Sequence, residues 1–293
     1  MGPDFLCIGA QKAGTTWLYE CLRRHPDVWM PPIKEIHYFD RARGPEIRTL
    51  FVRSPQLRLW MRRRLSEAAS DLGRHPSRAP WYVRAFAFPR NDNWYLSLFR
   101  PGAGRVSGDI TPAYARLEAP EVEQVQRLLP GTKIIFLMRD PIERMWSQGA
   151  MFASRLGAAD GKGIQENDLL EFLLHPTRLR NSAYDRALEI WESFFRPEQF
   201  FIGFYEDLKA SPEGLLTDIY RFLSVSDDSA HARQLLGRKV NSRSYPPAPP
   251  FVRQALAKAS YPTISRLHDR FHNEHTAAWL LNAKRALEGQ RGD

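Results

Sequence analysis

The sequence predicts an α/β fold, a doubly wound parallel sheet flanked by helices. Three apolar runs carry that prediction: Phe5–Ala10, Lys133–Met138 and Gln199–Tyr205. Each is short, unbroken and non-alternating, as suits a strand buried on both faces of a parallel sheet. Each is followed by a helix-like segment, Thr15–Arg24, Pro141–Arg155 and Pro212–Leu223. Strands that alternate with helices argue for this architecture. Ligands of such folds gather at the carboxyl ends of the strands, so the residues just after Ala10, Met138 and Tyr205 matter most.

The first run opens into Gln11-Lys12-Ala13-Gly14-Thr15-Thr16-Trp17. This reads as a strand feeding a helix through an anion-binding loop. Backbone N–H groups from Lys12 to Thr16 point at an anion at the helix N-terminus, where the helix dipole also favours negative charge. Gly14 lets the backbone come close, and Thr15 and Thr16 add hydroxyl donors. Gly9 and Gly14 are spaced as in a nucleotide P-loop, giving a P-loop-like start to the fold. In the common P-loop, however, Lys and then Ser or Thr follow the second glycine. Here the lysine sits earlier, at Lys12. The displacement points to a phosphate-like group held differently from ATP.

The second run continues into Arg139-Asp140-Pro141-Ile142-Glu143-Arg144-Met145-Trp146-Ser147. Asp140 reads as the N-cap, Pro141 as the first helical residue and Glu143 as the reciprocal capping partner. Arg139 at the strand end and Ser147 two turns into the helix can meet a second phosphate. The segment Lys34-Glu35-Ile36-His37-Tyr38-Phe39-Asp40 follows Pro31-Pro32, and the prolines argue against helix. In an extended chain Glu35 and His37 point to the same side. A carboxylate and an imidazole so placed can take a proton from a hydroxyl. In Gly108-Asp109-Ile110-Thr111-Pro112-Ala113-Tyr114 a strand end runs into a proline turn. Asp109 there binds substrate, assists the base or caps the turn. The basic loop Lys239-Val240-Asn241-Ser242-Arg243-Ser244 either closes over a nucleotide or is ordinary surface.

The 293 residues are read as a single domain. Residues 41–105, rich in arginine and tryptophan, form an insertion of helices and loops. Residues 156–180 form a loop and short helix able to cover a cleft. The stiff run Pro246–Pro250 leads to C-terminal helices within 251–293, at 251–270 and 275–288. The net charge of +9 favours an anionic ligand, a nucleic acid or an anionic membrane without choosing among them. Cys7 and Cys21 are expected in the core, unpaired. No apolar run reaches the roughly 18 residues of a membrane span. With a first strand beginning at Phe5, no signal peptide is expected. Leu6 stands where a myristoylation motif wants Ser or Thr. A cytoplasmic protein is the expectation.

Together these segments resemble the sulfotransferase family that uses 3′-phosphoadenosine-5′-phosphosulfate (PAPS), over roughly residues 5–40, 106–149 and 199–245. Gln11 to Trp17 resembles its 5′-phosphosulfate loop, and Arg139-Asp140-Pro141 through Ser147 its 3′-phosphate motif. Glu35 to Asp40 and Thr111 to Tyr114 resemble the branch holding heparan sulfate sulfotransferases and bacterial relatives. Ile110 departs from that branch, where some enzymes carry lysine.

The resemblance implies that Lys12 contacts the bridging oxygen of PAPS. It implies that Lys12, Ala13, Gly14, Thr15 and Thr16 hold the 5′-phosphate side and that Trp17 lies near the adenine. Arg139 and Ser147 would hold the 3′-phosphate, with Tyr205, Asn241, Ser242 and Arg243 bordering the nucleotide. Glu35, with His37 beside it, matches the catalytic base, and Glu35, His37 and Asp109 would face the acceptor. The implied chemistry is in-line attack of a carbohydrate or small-natural-product hydroxyl on sulfur, with PAP leaving. Lys12 and backbone N–H groups meet the developing charge. No metal is expected, and the sequence has no Cys/His ligand cluster.

Two alternatives stand beside this reading. A P-loop nucleotide kinase would want Lys directly after Gly14 and a carboxylate for Mg²⁺. A basic nucleic-acid-binding protein is suggested by Arg58, Arg62, Arg63 and Arg64 near Trp60, which otherwise form a solvated helix face. The leading reading expects no nucleic-acid partner.

Overall fold

Five parallel strands form one sheet in the order β2-β3-β1-β4-β5. They are β1 (Phe5–Gly9), β2 (Val28–Trp29), β3 (Val106–Ile110), β4 (Lys133–Met138) and β5 (Phe200–Phe204). The computed structural model describes residues 2–41, 55–155, 166–227 and 246–289. All five residues of β1 are buried. The strand is central, with Phe5 opposite Gly108 of β3 and Lys133 of β4. That position explains the unbroken apolar run, because helices cover both faces of the sheet. Gly108 permits the close pairing: a Cβ there would stand 2.0 Å from the Phe5 ring. The two-residue strand β2 was not anticipated. Two residues are too few to show a pattern, and it pairs only with Val106 and Ser107.

The connections are helical. The first three are α1 (Thr15–Leu22), α2 (Pro55–Arg74) and α3 (Ala79–Ala87). After them come α4 (Asp92–Ser97), α5 (Ala119–Leu128) and α6 (Pro141–Arg155). Then follow α7 (Glu166–Leu174), α8 (Pro176–Leu179) and α9 (Tyr184–Glu192). The expected strand to Tyr205 ends at Phe204, and Tyr205 instead opens a short helix, α10 (Tyr205–Ala210), ahead of α11 (Pro212–Leu223). Within the 41–105 insertion the described residues are chiefly helices α2, α3 and α4. Both cysteines are buried and free, and burial pushes each thiol up to about 12. Among the described residues no helix is long and apolar enough to cross a membrane.

Two C-terminal helices, α12 (Pro250–Phe271) and α13 (Glu274–Leu287), pack on each other, and α12 packs on α6, α7 and α9. They also alter the expected cap of α6. Asp140 does accept from the backbone N–H of Ile142 at 2.8 Å, as an N-cap should. Glu143 does not reciprocate. Its carboxylate pairs with Arg253 of α12 at 3.2 Å, while the Asp140 N–H donates to Glu206 at 3.3 Å. Asn282 of α13 donates to the other Asp140 oxygen at 2.7 Å, and Trp279 donates to Glu206 at 3.1 Å. Partners 66 to 142 residues away outcompete the local capping box.

Burial raises the Asp140 carboxyl to about 6, against the opposing hydrogen bond from Asn282. The folded state therefore holds this proton more tightly than the unfolded chain. The group subtracts stability as pH rises from about 4 through 6. Asn282→Ala leaves one carboxylate oxygen unpaired and is expected to cost about 1–3 kcal/mol at neutral pH. The loss should shrink below about pH 5, where the carboxyl is protonated. Urea denaturation of both proteins across this range checks the expectation.

Candidate active site

Parallel strands deliver their carboxyl ends to one edge, and the loops after β1, β4 and β5 meet there. The Ala10 N–H donates to the Leu137 carbonyl of β4 at 2.6 Å, fixing the start of the first loop. Lys12 has φ 70° and Gly14 φ 89°, both left-handed. Gly14 is the N-cap of α1 and offers no side-chain cap, and the first turn carries no acidic residue. The helix end therefore keeps its positive dipole and its N–H donors. Ala13 and Thr15 are buried, while Thr16 is half-buried. Trp17 is buried in the hydrophobic core and braces the loop from within.

Arg139 joins three strand ends. Its guanidinium donates to the Lys12 carbonyl at 3.1 Å and lies over the Tyr205 ring at 4.6 Å. The α10 segment comes equally close to the loop, since a Cβ on Gly14 would stand 2.4 Å from Leu208 and 3.6 Å from Tyr205. Ser147 is buried on α6. One turn further, the Met151 sulfur lies 3.7 Å from Lys12 Nζ. Asn241, Ser242 and Arg243 lie outside the described residues. Just beyond them the Pro246 carbonyl accepts from the Trp146 indole at 2.8 Å.

The segment 34–40 is not the extended chain the sequence suggested. Glu35 has φ 65° and His37 φ 56°. Left-handed backbone is costly for residues with a Cβ and persists only where surroundings impose it. Here they do. Arg64 of α2 donates to the Glu35 carbonyl at 2.9 Å, and Arg90 donates to the carbonyls of Ile36, at 3.1 Å, and His37. The Tyr38 N–H donates to the Tyr114 hydroxyl at 2.9 Å, and the Glu35 N–H to the Ile110 carbonyl at 3.1 Å. Arg64, counted above in a basic face, is thus buried beneath this loop. Trp60 joins it, edge-on to His37 at 6.5 Å between ring centroids. Arg62 and Arg63 are exposed, and Arg63 pairs with Glu67.

Glu35 and His37 meet despite the changed backbone. One Glu35 oxygen contacts Lys34 Nζ at 2.9 Å, and the other faces His37 Nε2 at 3.4 Å. His37 Nδ1 lies 2.8 Å from Asp40. Lys34 Nζ also reaches Thr15 Oγ1 at 3.3 Å, bridging to the first loop. Burial pushes the Glu35 carboxyl up, but hydrogen bonds from His37 and Lys34, with the charge of Lys34, hold it well below the usual carboxylate range. Burial pushes His37 down, and its bonds to Asp40 and Glu35 overcome this and raise it. A carboxylate therefore faces each ring nitrogen of His37. Asp109 lies elsewhere, 1% exposed in the core. Three hydroxyls donate to it: Tyr95 at 3.1 Å, Thr111 at 2.7 Å and Tyr114 at 2.9 Å. It supports the loop through Tyr114.

Sequence reading gave no role to Lys34, Asp40 or Arg90, and placed Arg64 only in a basic, nucleic-acid-binding cluster. Lys34 and Asp40 flank the proposed pair in the chain. The two arginines carried no signal for this loop, because only the tertiary fold turns them toward these carbonyls.

A parallel sheet of this order, with a glycine-containing loop leading from its central strand into the first helix, defines an α/β protein of P-loop-like design. The chain belongs to the sulfotransferase family, whose sequence profile matches residues 3–229. It is 27% identical to carbohydrate sulfotransferase 15 of Mus musculus over 94% of this chain and 54% of that protein. It is 26% identical to heparan sulfate glucosamine 3-O-sulfotransferase 6 of Homo sapiens over 76% of this chain and 52% of that one. The chain spans about half the length of these curated relatives. A solved sulfotransferase from Alicyclobacillus acidocaldarius shares the fold, with a TM-score of 0.62 at 21% identity, over 95% of this chain and 99% of that chain.

The His37–Asp40 pair has a definite pH signature. His37, raised in the fold, contributes stability that is complete below the unfolded value of about 6.5 and is lost as pH rises through its folded value. Asp40, lowered in the fold, contributes above about pH 4. Asp40→Asn should therefore cost most between about pH 4 and 6.5 and progressively less on the alkaline side. Thermal denaturation of both proteins across pH measures this.

Proposed function

We propose that the protein transfers a sulfuryl group from PAPS to an acceptor hydroxyl by in-line displacement. The observation that carries this reading is the Lys34 bridge, 3.3 Å from Thr15 of the anion loop and 2.9 Å from Glu35. It puts the candidate base and the donor loop within the reach of one side chain. The residues fit an anionic group. Leu208 leaves room at position 14 only for glycine, the first turn of α1 holds no acid, and Arg139 faces a carbonyl and a ring. Names of relatives support a carbohydrate acceptor, with a small natural product as the other possibility within the same chemistry.

When bound, the donor supplies an activated sulfuryl group with a phosphate as its leaving group. Ala13, Gly14, Thr15 and Thr16 hold the 5′ side through N–H and hydroxyl donors. Arg139, Ser147 and Tyr205 border the 3′ side. Lys12 stabilises the charge that develops on the departing oxygen, aided by the loop N–H groups. Glu35 accepts the acceptor's hydroxyl proton. Its oxygen facing His37 at 3.4 Å is the looser held and is the one to receive it. Its side chain, 37% exposed, is reachable from solvent. His37 steadies the carboxylate and Asp40 fixes the ring.

PAPS incubated with a panel of carbohydrate and small-molecule alcohols should yield a product heavier by one sulfuryl group. Stabilisation by ATP–Mg²⁺ with none by PAP would instead mark a kinase. Lys12→Ala should lower kcat by roughly 10²–10³, and Glu35→Gln by roughly 10²–10⁴, with each variant melting near the wild type. Lys34→Met removes a donor and a positive charge from Glu35, so the acid limb of kcat/KM should move to higher pH. An unmoved limb would assign the base elsewhere.

A further inference from the structure

We infer that Arg144 is a buried electrostatic anchor for the second phosphate of the donor nucleotide, a role that rests on the function proposed above. Arg144 lies on α6 between Arg139 and Ser147, and it is 0% exposed. A guanidinium this deep is ordinarily paired with a carboxylate. Here all its partners are neutral: Ser182 Oγ at 2.5 Å, Gln148 Oε1 at 3.1 Å and the Arg178 carbonyl at 3.3 Å. No carboxylate among the described residues pairs with it. Burial lowers its pKa to about 10, and the nearby charge of Arg139 acts in the same direction.

Two further observations point to a missing anion. Among the described residues the Arg139 guanidinium meets the Lys12 carbonyl and the Tyr205 ring and pairs with no carboxylate. The Tyr184 hydroxyl, 1% exposed, makes no hydrogen bond of ordinary geometry, and both arginines act on it electrostatically. The fold therefore gathers two guanidinium charges beside a buried tyrosine hydroxyl, and the one carboxylate that acts on that hydroxyl, Asp140, is paired with neither arginine but held by Asn282 and the N-terminus of α6. The neutral partners hold Arg144 in place without cancelling its charge. A dianionic phosphate at Arg139 and Ser147 would balance it across a low-dielectric interior, where such attraction is screened least. This arrangement leaves the nucleotide-free protein less stable than it could be and returns the difference on binding.

The experiment compares adenosine 3′,5′-bisphosphate with adenosine 5′-monophosphate, which differ only in the 3′-phosphate. Calorimetric affinities and thermal shifts are read for the wild type, Arg144→Met and Arg144→Lys. The wild type should prefer the bisphosphate. In Arg144→Met that preference should fall by roughly tenfold or more, with monophosphate affinity retained and the nucleotide-free Tm equal to or above wild type. Arg144→Lys, which keeps the charge, should keep most of the preference. An undiminished preference in Arg144→Met overturns the inference. So does an equal loss for both nucleotides, or a lowered nucleotide-free Tm or failure to fold, each of which makes Arg144 a packing clip. If the wild type binds neither nucleotide, the donor assignment itself falls, and the anchor with it.

Discussion

One guanidinium ties the working edge of this protein together. Arg139 donates to the Lys12 carbonyl and lies on the Tyr205 ring, so a single planar cation joins the ends of β1, β4 and β5. Planarity and fixed charge suit arginine to this double contact, which lysine could not reproduce. The loop conformation then follows. Lys12 sits in left-handed backbone with its carbonyl turned toward Arg139, and its ammonium is left to extend toward α6. Parallel strands make this economical, because every carboxyl end arrives at the same edge.

The opposite wall of the site is held by different physics. Three of the five non-glycine residues with left-handed backbone among those described are Lys12, Glu35 and His37. The other two, Ser224 and His272, end helices, where that conformation is ordinary. Strained backbone is thus concentrated on the residues assigned to the chemistry, as is common at functional sites. At Glu35 and His37 two buried arginines of the insertion, Arg64 on α2 and Arg90 between α3 and α4, impose it through carbonyls. The insertion therefore shapes the backbone that carries Glu35 and His37.

Much of the sheet was legible in the sequence, because a strand buried on both faces must be apolar throughout, and Phe5–Gly9 and Lys133–Met138 are nearly so. The turn into α1 was legible for a similar reason: Gly14 followed by two threonines marks a helix start, and the helix begins at Thr15. What escaped was set by distance along the chain. Glu143 had an obvious local partner in the Asp140 cap, yet Arg253 claims it. Arg64 sat in a run of arginines that looked solvated, yet it faces inward. Glu35 and His37 were rightly brought together, but through an extended geometry that the loop does not have. Periodicity describes faces of elements, and none of these contacts belongs to a face.

The clamp on Asp140 and Glu206 by Asn282 and Trp279 has a consequence in time. During synthesis the chain emerges from its N-terminus, and folding begins before the end is made. The strands and the first loop are present early, but the two side chains that hold the corner beside Arg139 reside on α13. Until α13 arrives, that corner lacks its fasteners, and Asp140 waits for a partner 142 residues further along the chain. An incomplete chain can thus carry nearly every residue of the site and still lack the site.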